Sequence, residues 1–470
     1  MYYLFVSWIV AICLSFSACL CADEISFTRE IAPLLLKRCA GCHGAKIAEG
    51  AFRLDTFELL MEAGDSGEAT VVAGEAESSE VYRRIIETDE DLRMPQEDDA
   101  LAQVEIDAIR LWIQQGAHFD GSDRSAPLKS QLAARRHPAA PEIYRMPLPV
   151  MSISFSPDGH QLAVGGYHEL LIWDLADGTL LHRIGNLPQR IQSILWLDDS
   201  FLIAGGTPGE YGEVAFIATE NDWIRKVLVV FSDIALDAVV DSRQLQVAAC
   251  SADRSTQLVE IETAQLLWNK TLHSSWVTGV AFSGDDRFIV TTSLDETVKI
   301  IESENGELFT TFNGHRQQMG DFSGRFKIYD VGFHSASGRF MTAGEGRAIR
   351  VWDPLQAKAE NGTAADMEER FYEKAHTKYV VHDFHKPVHK LVTSDTLIVV
   401  AGGDGMVKAF DADNHKPIRQ FAGHEDAIYS LAVSQDGQSV AAGAHDGRVL
   451  VWNVESAKPP TVFLAVPTIR

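Results

Sequence analysis

Three different patterns of apolar and polar residues follow one another along the chain. Residues 2–21 are almost wholly apolar or small, and residues 23–120 carry apolar residues at helical spacing. Residues 146–470 consist of short β-branched runs broken by Gly, Asp and Asn. Apolar residues that recur every three to four positions predict helices, and short β-branched runs between turn residues predict strands. We therefore expect a helical domain followed by an all-β domain.

Residues 1–22 have the features of a secretory signal peptide, because the apolar run is short and small residues precede Ala22-Asp23. No Lys or Arg precedes that run, so an uncleaved membrane anchor is an alternative, since about 20 apolar residues can span a bilayer. A third alternative is lipidation at Cys19, because Phe16-Ser-Ala-Cys19 resembles a bacterial lipoprotein box. All three predict that the rest of the chain is periplasmic or otherwise extracytoplasmic.

Two helices are predicted in residues 23–120. The first spans 27–42, with Pro33 in or near its first turn, and the second spans 101–115, with Gly116 as its stop. The second helix is expected to carry Leu101, Val104, Ala108, Trp112 and Gln115 along one face, with Ile109 and Ile113 beside it. We expect this last helix to cross the first one. Residues 121–145, which hold three prolines, are predicted to be a linker.

The third zone repeats one unit of strand, tight turn and strand. The clearest copies are 289–301, 398–410 and 440–452. Units end near Trp173, Phe216, Val259, Ile301, Trp352, Phe410 and Trp452, and the spacing is 42 or 43 residues wherever no insertion intervenes. A period of about 40–45 residues with Gly-His and Trp-Asp signals is typical of four-stranded propeller blades. The sequence therefore predicts a seven-bladed β-propeller over residues 146–470.

Composition and charge narrow the function. The net charge of −25 argues against nucleic acid as a partner, because phosphate binding needs clustered Lys and Arg. Residues 23–120 contribute 22 acidic against 9 basic residues. Of six cysteines, three lie in residues 1–22, and Cys250 stands alone in an apolar strand as an expected core thiol. Only Cys39 and Cys42 form a close pair that calls for chemistry.

Cys39-Ala-Gly-Cys42-His43 has the C-x-x-C-H spacing of c-type haem attachment. Two thiols three positions apart on a helical turn point the same way, so each can form a thioether with one vinyl group of the same porphyrin. His43 then becomes the proximal iron ligand. A thioredoxin-like redox pair would need a βαβ setting, and a zinc site would need a second ligand pair nearby. A chance match also stays open. We expect one covalently bound haem c.

Met94 is the predicted sixth ligand of the iron. It lies in Leu92-Arg-Met-Pro95, a non-helical stretch between two helical segments, and Pro95 stiffens that loop. Met61 is the alternative, but it lies inside a predicted helix where packing is its expected role. Ligation by His43 and Met94 would raise the reduction potential and fill both axial positions, which suits electron transfer.

The third zone resembles the WD-repeat family. Trp173-Asp174 and Trp352-Asp353 are Trp-Asp pairs, and Gly314-His315 and Gly423-His424 are Gly-His pairs. Family members bond a His, a Ser or Thr, an Asp and a Trp across each blade. In the last blade His424, Asp446 and Trp452 match this set, but Ala442 replaces the hydroxyl residue. The resemblance therefore implies an incomplete polar network there. Residues 316–328 and 355–372 lengthen two connections, and such rim loops often bind partners.

Residues 27–120 resemble the planctomycete-type cytochrome c domain. The resemblance depends on the haem motif, on Phe52-Arg-Leu-Asp-Thr56, on Arg93-Met-Pro95 and on 111–117. Gln96 stands where the family tends to have a second Pro, and 64–74 has fewer glycines than usual. Neither departure falls on a residue that is expected to bind the haem. The resemblance implies haem binding and electron transfer without naming the redox partner.

Together these features predict an exported c-type cytochrome whose propeller docks a redox partner protein. One alternative is an extracytoplasmic interaction scaffold with a structural haem. Another is a propeller-based haem oxidoreductase, but the histidines of 146–470 are scattered, with no cluster of acid–base or metal-binding residues. No catalytic residue is therefore predicted.

Overall fold

The computed structural model describes residues 25–44, 47–96, 99–121, 123–125, 127–128, 135–218, 223, 225–312, 315–319, 322–353, 377–381 and 384–468. The expected signal segment 1–22 lies outside these residues. The chain divides into two compact units, residues 1–135 and 136–470. Among the described residues, no helix has both the length and the apolar character needed to cross a bilayer.

The first unit is helical. Its elements are a π-helical turn Phe27–Ile31, α1 Ala32–Arg38, a 3-10 turn Glu49–Ala51, α2 Phe57–Met61, a 3-10 turn Ala76–Ser78, α3 Glu80–Ile86 and α4 Gln103–Gln114. Pro33 lies in the first turn of α1, where its missing N–H has no intrahelical partner to lose. Gly116 follows the end of helix α4, and its φ of +106° is favourable only for glycine.

The core of this unit brings its first and last helical elements together. The Phe27 ring lies 4.7 Å from the Phe57 ring and 5.2 Å from the Trp112 ring, measured between centroids. The first and last helical elements of the unit therefore pack against each other. The buried face of α4 differs from the prediction, because Ile109, Trp112 and Ile113 are buried whereas Val104 is 74% exposed.

Both ends of the predicted linker 121–145 are structured. Leu128 is buried in the helical core and its amide donates to the Asp55 carbonyl at 2.7 Å. Further on, the His137 amide donates to Asn186 Oδ1 at 2.9 Å, on the second unit. The boundary between the two units follows Arg135. A segment that links them is therefore shorter than the predicted linker 121–145. Residues 129–134 lie outside the described part of the chain.

The second unit is a seven-bladed β-propeller, as predicted. Each blade is an antiparallel sheet of four consecutive strands. Blades one to four are built by β1 Ile153–Phe155, β2 Gln161–Gly165, β3 Leu170–Asp174, β4 Leu180–Ile184, β5 Arg190–Leu197, β6 Ser200–Thr207, β7 Tyr211–Ala218, β8 Arg225–Phe231, β9 Ala235–Val240, β10 Gln246–Ser251, β11 Thr256–Glu260, β12 Leu266–Lys270, β13 Val277–Phe282, β14 Phe288–Ser293, β15 Val298–Glu302 and β16 Leu308–Phe312. A hairpin follows, formed by β17 Arg316–Met319 and β18 Phe322–Arg325. Blades five to seven are built by β19 Ile328–His334, β20 Arg339–Gly344, β21 Ile349–Trp352, β22 Thr377–Val381, β23 Val388–Thr393, β24 Leu397–Gly402, β25 Val407–Asp411, β26 Pro417–Phe421, β27 Ile428–Val433, β28 Ser439–Ala444, β29 Arg448–Asn453 and β30 Thr461–Leu464.

Polar side chains near the start of the innermost strands join neighbouring blades. In four blades such a side chain donates to a backbone carbonyl of the next blade, namely Ser152 to Ile191, Thr278 to Ile328, His389 to Ile428 and Ser430 to Val150, over 2.8–3.1 Å. The bond from Ser430 to Val150 joins blade seven to blade one. These contacts fix the ring without any strand crossing between blades.

The two ends of the propeller sequence meet beside blade seven. The Tyr144 amide donates to the Pro467 carbonyl at 2.8 Å, and Tyr144 forms a parallel bridge with Thr468. Trp173 Nε1 donates to the Ala465 carbonyl at 3.2 Å. The segment before β1 is therefore part of the closure of the ring. Of the two expected insertions, 316–328 contains the hairpin β17–β18, and 355–372 lies outside the described residues.

Candidate functional site

The Cys39–His43 segment is a tight turn that continues directly from α1. The helix ends at Arg38, so the predicted helix over 27–42 is shorter than expected. The His43 amide donates to the Cys39 carbonyl at 3.0 Å, and the Cys42 amide donates to the same oxygen at 3.3 Å. Gly44 closes the turn, since a Cβ there would lie 2.8 Å from the Ala40 carbonyl oxygen. This one turn thus brings both thiols and the imidazole together.

Both cysteines of the turn are free thiols. Cys39 is partly buried and Cys42 is exposed. Burial raises the pKa of the Cys39 thiol to about 11, against a smaller opposing effect of Arg38. A thiol–disulfide exchange pair depends on a thiolate with a lowered pKa, so this environment disfavours the redox-pair alternative.

The imidazole of His43 is held in one orientation. Its Nδ1 lies 3.1 Å from the Glu49 carbonyl oxygen. A carbonyl can only accept, so Nδ1 carries the proton and Nε2 keeps its lone pair for a metal. The Phe52 ring packs against the imidazole at 5.1 Å between centroids, and the Leu54 amide donates to the His43 carbonyl at 3.0 Å. A metal-ligating histidine usually has such a partner on its other ring nitrogen.

Met94 lies in a separate loop after α3. Its amide donates to the Arg84 carbonyl at 2.9 Å, and its side chain is partly buried. In the described part of the chain, no hydrogen bond joins this side chain to the Cys39–His43 turn. The backbone nevertheless returns towards that turn, because Arg38 donates to the carbonyls of Asp99 and Ala100. The segment that follows the Met94 loop therefore lies beside the residue that precedes Cys39.

Met61, the alternative sixth ligand, and Trp112, on the face of the last helix, both have packing roles. Met61 is the last residue of α2 and packs against the helical core. Trp112 is buried, and its Nε1 donates to the His118 carbonyl at 3.0 Å. The contacts of both residues are therefore those of a helical core.

The donor set of the turn fits haem c. Two free thiols three positions apart can form two thioether bonds, and an imidazole with an available Nε2 can bind iron. Over the ranges that the structure describes, no group of three or more His, Cys, Asp or Glu side chains is arranged to hold a metal ion. The zinc alternative therefore lacks a second ligand pair within those ranges.

The propeller holds a charged cluster that the sequence did not predict. Asp237, Asp330 and Lys390 come from blades three, five and six and line a central channel of about 600 Å³. Lys390 Nζ lies 3.6 Å from Asp330 Oδ2, and burial raises the pKa of Asp330 to about 6. Its residues are 60 or more positions apart in the sequence, and the one sequence signal that links them is that each is the third residue of the innermost strand of its blade.

These carboxylates are already used to join blades. Asp237 Oδ2 accepts from the Val280 amide at 3.1 Å, and Asp330 Oδ2 accepts from the Leu391 amide at 2.8 Å. In each case the amide belongs to the next blade. Both carboxylates therefore join neighbouring blades by hydrogen bonds, as Ser152 and Ser430 do elsewhere in the ring.

Comparison with known families gives two matches. Residues 39–98 match the family model described as planctomycete cytochrome C. Residues 144–174, 265–302 and 415–453 match the model of the WD domain, G-beta repeat. The first match begins at Cys39 and extends past Met94, so it covers all four residues of the candidate site. Both resemblances stated from the sequence are confirmed.

Curated relatives are similar over a part of their length. Actin-interacting protein 1 of Drosophila melanogaster is 22% identical over 326 residues, which is 67% of this chain and 50% of that protein. The ribosome biogenesis protein WDR12 homolog of Culex quinquefasciatus is 27% identical over 186 residues, 39% of this chain and 38% of that protein. Nuclear distribution protein nudF of Aspergillus niger is 25% identical over 187 residues, 40% of this chain and 37% of that protein. The chain thus spans half or less of the length of these relatives.

Proposed function

Because the chain joins a planctomycete-type cytochrome c domain to a seven-bladed WD-repeat β-propeller, we propose that it is an extracytoplasmic electron-transfer protein. One haem c is bound covalently by Cys39 and Cys42. His43 is the proximal ligand of the iron and Met94 is the sixth ligand. The propeller docks the redox partner protein.

The hydrogen bond that orients the His43 ring is the observation that carries this proposal. The hydrogen bond from Nδ1 to the Glu49 carbonyl leaves Nε2 as the nitrogen that can bind iron. It also restrains rotation of the ring about its Cβ–Cγ bond, and the Phe52 ring packs beside it. The residues of this turn therefore orient a ligand before any cofactor is attached.

Each residue of the site has a defined task. When bound, the haem supplies an iron that accepts and releases one electron. Cys39 and Cys42 hold the porphyrin edge on the turn, and the end of α1 holds Cys39. Met94 would supply the second protein ligand of the iron, and such a thioether ligand would raise the reduction potential and keep small ligands off the metal. A filled iron favours electron transfer over chemistry at the metal.

The propeller supplies the protein contacts. The name of the Drosophila relative, actin-interacting protein 1, describes a protein that contacts another protein. That relative is similar to this chain over a length that corresponds to a whole propeller, which supports a docking role here. The expected export rests on residues 2–21, which have the short apolar run and small-residue flank of a secretory signal peptide.

An absorption spectrum of the full chain, exported in a host that attaches haem c, tests the proposal. Sharp bands on reduction that survive acid–solvent extraction are expected for a haem held by thioethers. A weak far-red band in the oxidised protein is expected for Met ligation. A colourless protein, or haem that is lost on extraction, would instead leave a WD-repeat interaction protein with an unexplained cysteine pair.

Reversible cycling separates electron transfer from a structural haem. The iron is expected to be reduced and reoxidised repeatedly without binding carbon monoxide. A reduced iron that binds carbon monoxide readily would contradict the assignment of Met94 and favour the oxidoreductase alternative.

A further inference from the structure

A haem bound as proposed brings carboxylates to the site, so a role for a residue toward them rests on the proposed function. A haem carries two propionates at one edge of its ring. A carboxylate that is withdrawn from water needs a cation or hydrogen-bond donors to stay ionised. Arginine suits this task because its planar guanidinium can bind a carboxylate through two parallel hydrogen bonds.

Most arginines of the helical unit are already engaged. Arg53, Arg83, Arg84 and Arg110 form ion pairs with Asp55, Glu68, Glu80 and Asp107, respectively. Arg38 donates to backbone carbonyls, and Arg124 lies over the Phe57 ring. Arg29 is exposed to solvent. In a domain with more than twice as many acidic as basic residues, pairing of this kind is the expected state of an arginine.

Arg93 differs from these arginines. Its side chain is partly buried, and its Nε is fully buried without a hydrogen-bond partner. No ion pair or hydrogen bond of its guanidinium occurs in the described part of the chain. The Nε of Arg53 is also buried and unbonded, but the guanidinium of Arg53 is held by Asp55. A buried donor without an acceptor is unfavourable, so the environment of Arg93 is complete only with an additional acceptor.

Backbone hydrogen bonds hold Arg93 beside Met94, the predicted sixth ligand. The Arg93 amide donates to the Asp89 carbonyl at 2.8 Å, and the next amide, that of Met94, donates to the Arg84 carbonyl at 2.9 Å. The Met94 amide thus anchors the loop to the last turns of α3, and the Arg93 amide closes the turn that follows the helix. Arg93 therefore moves with Met94, the residue assigned to the iron, while its own guanidinium has no partner.

We propose that Arg93 binds a haem propionate through its guanidinium. The proposed pairing satisfies the buried Nε and supplies the propionate with a positive charge. It also couples the Met94 loop to the edge of the porphyrin, so that the loop is held at both the iron and the carboxylate. Arg93 is thus a cofactor-binding residue in addition to the four that the sequence identified.

This pairing has two electrical consequences with a definite sign. A positive charge near the iron disfavours the ferric state, so the guanidinium raises the reduction potential. The same charge keeps the propionate ionised at lower pH. Without it the propionate titrates nearer neutrality, and because reduction of the iron favours its protonation, the potential then depends on pH in that range.

The test is redox titration of the full-length holoprotein as a function of pH. Arg93→Gln is expected to lower the potential. It is also expected to raise, by about 1–3 pH units, the pH at which the potential begins to fall. The matched control is Arg110→Gln, which also removes one positive charge, but from an exposed ion pair with Asp107 on α4. Arg93→Lys keeps the charge without the planar fork, and is expected to lie between Arg93→Gln and the wild type.

The outcomes separate this inference from the proposed function. If Arg93→Gln holoprotein keeps its far-red band and has the same potential and pH profile as Arg110→Gln, the inference about Arg93 is overturned and the haem assignment stands. If the wild type binds no haem through thioethers, the proposed function itself fails. If Arg93→Gln yields no holoprotein, the Arg93→Lys variant tests the proposal instead. Its propionate bending bands in the resonance Raman spectrum shift under the proposal, and unchanged bands would overturn it.

Discussion

In the helical domain three of the four residues assigned to the cofactor lie within five consecutive positions, whereas the side chains that join the propeller blades come from six different blades. A local turn can orient Cys39, Cys42 and His43 because backbone hydrogen bonds within the turn are enough to place them. The ring contacts of Ser152 and Ser430 exist only once whole blades have packed side by side. The difference predicts that single substitutions abolish function in the first region and reduce stability stepwise in the second.

Within the propeller, blades five and seven differ in how complete their polar networks are. In blade five the hydroxyl of Thr342 bonds both His315 Nε2, at 2.7 Å, and Trp352 Nε1, at 3.1 Å. In blade seven Ala442 stands in that place, and His424 Nε2 donates instead to the Ala442 backbone carbonyl at 3.1 Å. His424 Nδ1 is buried without a partner among the described residues. The incomplete network that the sequence predicted for this blade is thus confirmed.

The largest effect is expected from the cysteine pair. The double variant Cys39→Ala, Cys42→Ala removes both thioethers, so we expect no haem to survive acid–solvent extraction. The matched control is Cys250→Ala, which removes a buried thiol of the propeller core and should leave haem content unchanged. Extractable and covalent haem are compared by absorption spectroscopy. Covalent haem in the double variant would refute the assigned attachment.

The next effect is expected from Met94→Ala. Loss of the sixth ligand should lower the reduction potential by a sizeable part of the roughly 0.8 V over which axial ligands set haem potentials. The opened iron should also bind carbon monoxide. Redox titration and the carbon monoxide difference spectrum measure the two effects. Met61→Ala is the control, since Met61 packs in α2, and equal behaviour of the two variants would show that the axial assignment is wrong.

A smaller effect is expected within blade five from Thr342→Val. The substitution keeps the side-chain shape but leaves the buried N–H of Trp352 without its acceptor, which typically costs about 1–3 kcal/mol. Burial lowers the pKa of His315 well below its usual value, so the neutral ring also loses its partner. Denaturant unfolding followed by tryptophan fluorescence measures the change. Thr342→Ser keeps the hydroxyl and should recover most of the loss; if it does not, the hydroxyl is not what matters.

The smallest effect depends on pH and compares blades four and seven. Burial alone would raise the pKa of Asp295, but hydrogen bonds from His273, from Thr297 and from the Ser274 amide hold it well below its usual range. The ionised carboxylate therefore stabilises the fold above the pKa of an unfolded Asp, about 3.9, and this contribution is lost as pH falls below that value. Asp295→Asn is expected to cost about 1–2 kcal/mol at neutral pH, with the difference from wild type closing below pH ~4.

The control for that experiment is Asp446→Asn, at the same place in blade seven. Asp446 accepts from the Arg448 amide at 2.9 Å, and the described contacts show no bond to His424. Its loss should change the unfolding free energy little at any pH. A pH-dependent loss of equal size in both variants would mean that the turn, and not the bond to His273, is responsible.

Much of the site could be predicted because its chemistry is local in sequence. The spacing of Cys39, Cys42 and His43 carries its own geometry, and Pro95 singled out Met94 from Met61. The spacing could not reveal the Glu49 carbonyl that orients His43, because any backbone carbonyl looks the same in a sequence. The unpaired state of Arg93 was equally hidden, since it depends on the partners that the other arginines take.

The fold likewise has features that the sequence predicts and features that only tertiary contacts determine. The 42- to 43-residue spacing determined the seven blades, because each blade is one run of four strands with its own turn residues. Other features depended on tertiary contacts: the exposure of Val104, the attachment of Leu128 to the helical core, and the meeting of Asp237, Asp330 and Lys390 in the channel. Periodicity and motif spacing are properties of neighbouring residues, so the chain alone determines them. Burial and pairing are set by residues far apart in sequence, and only the folded structure decides which of them meet.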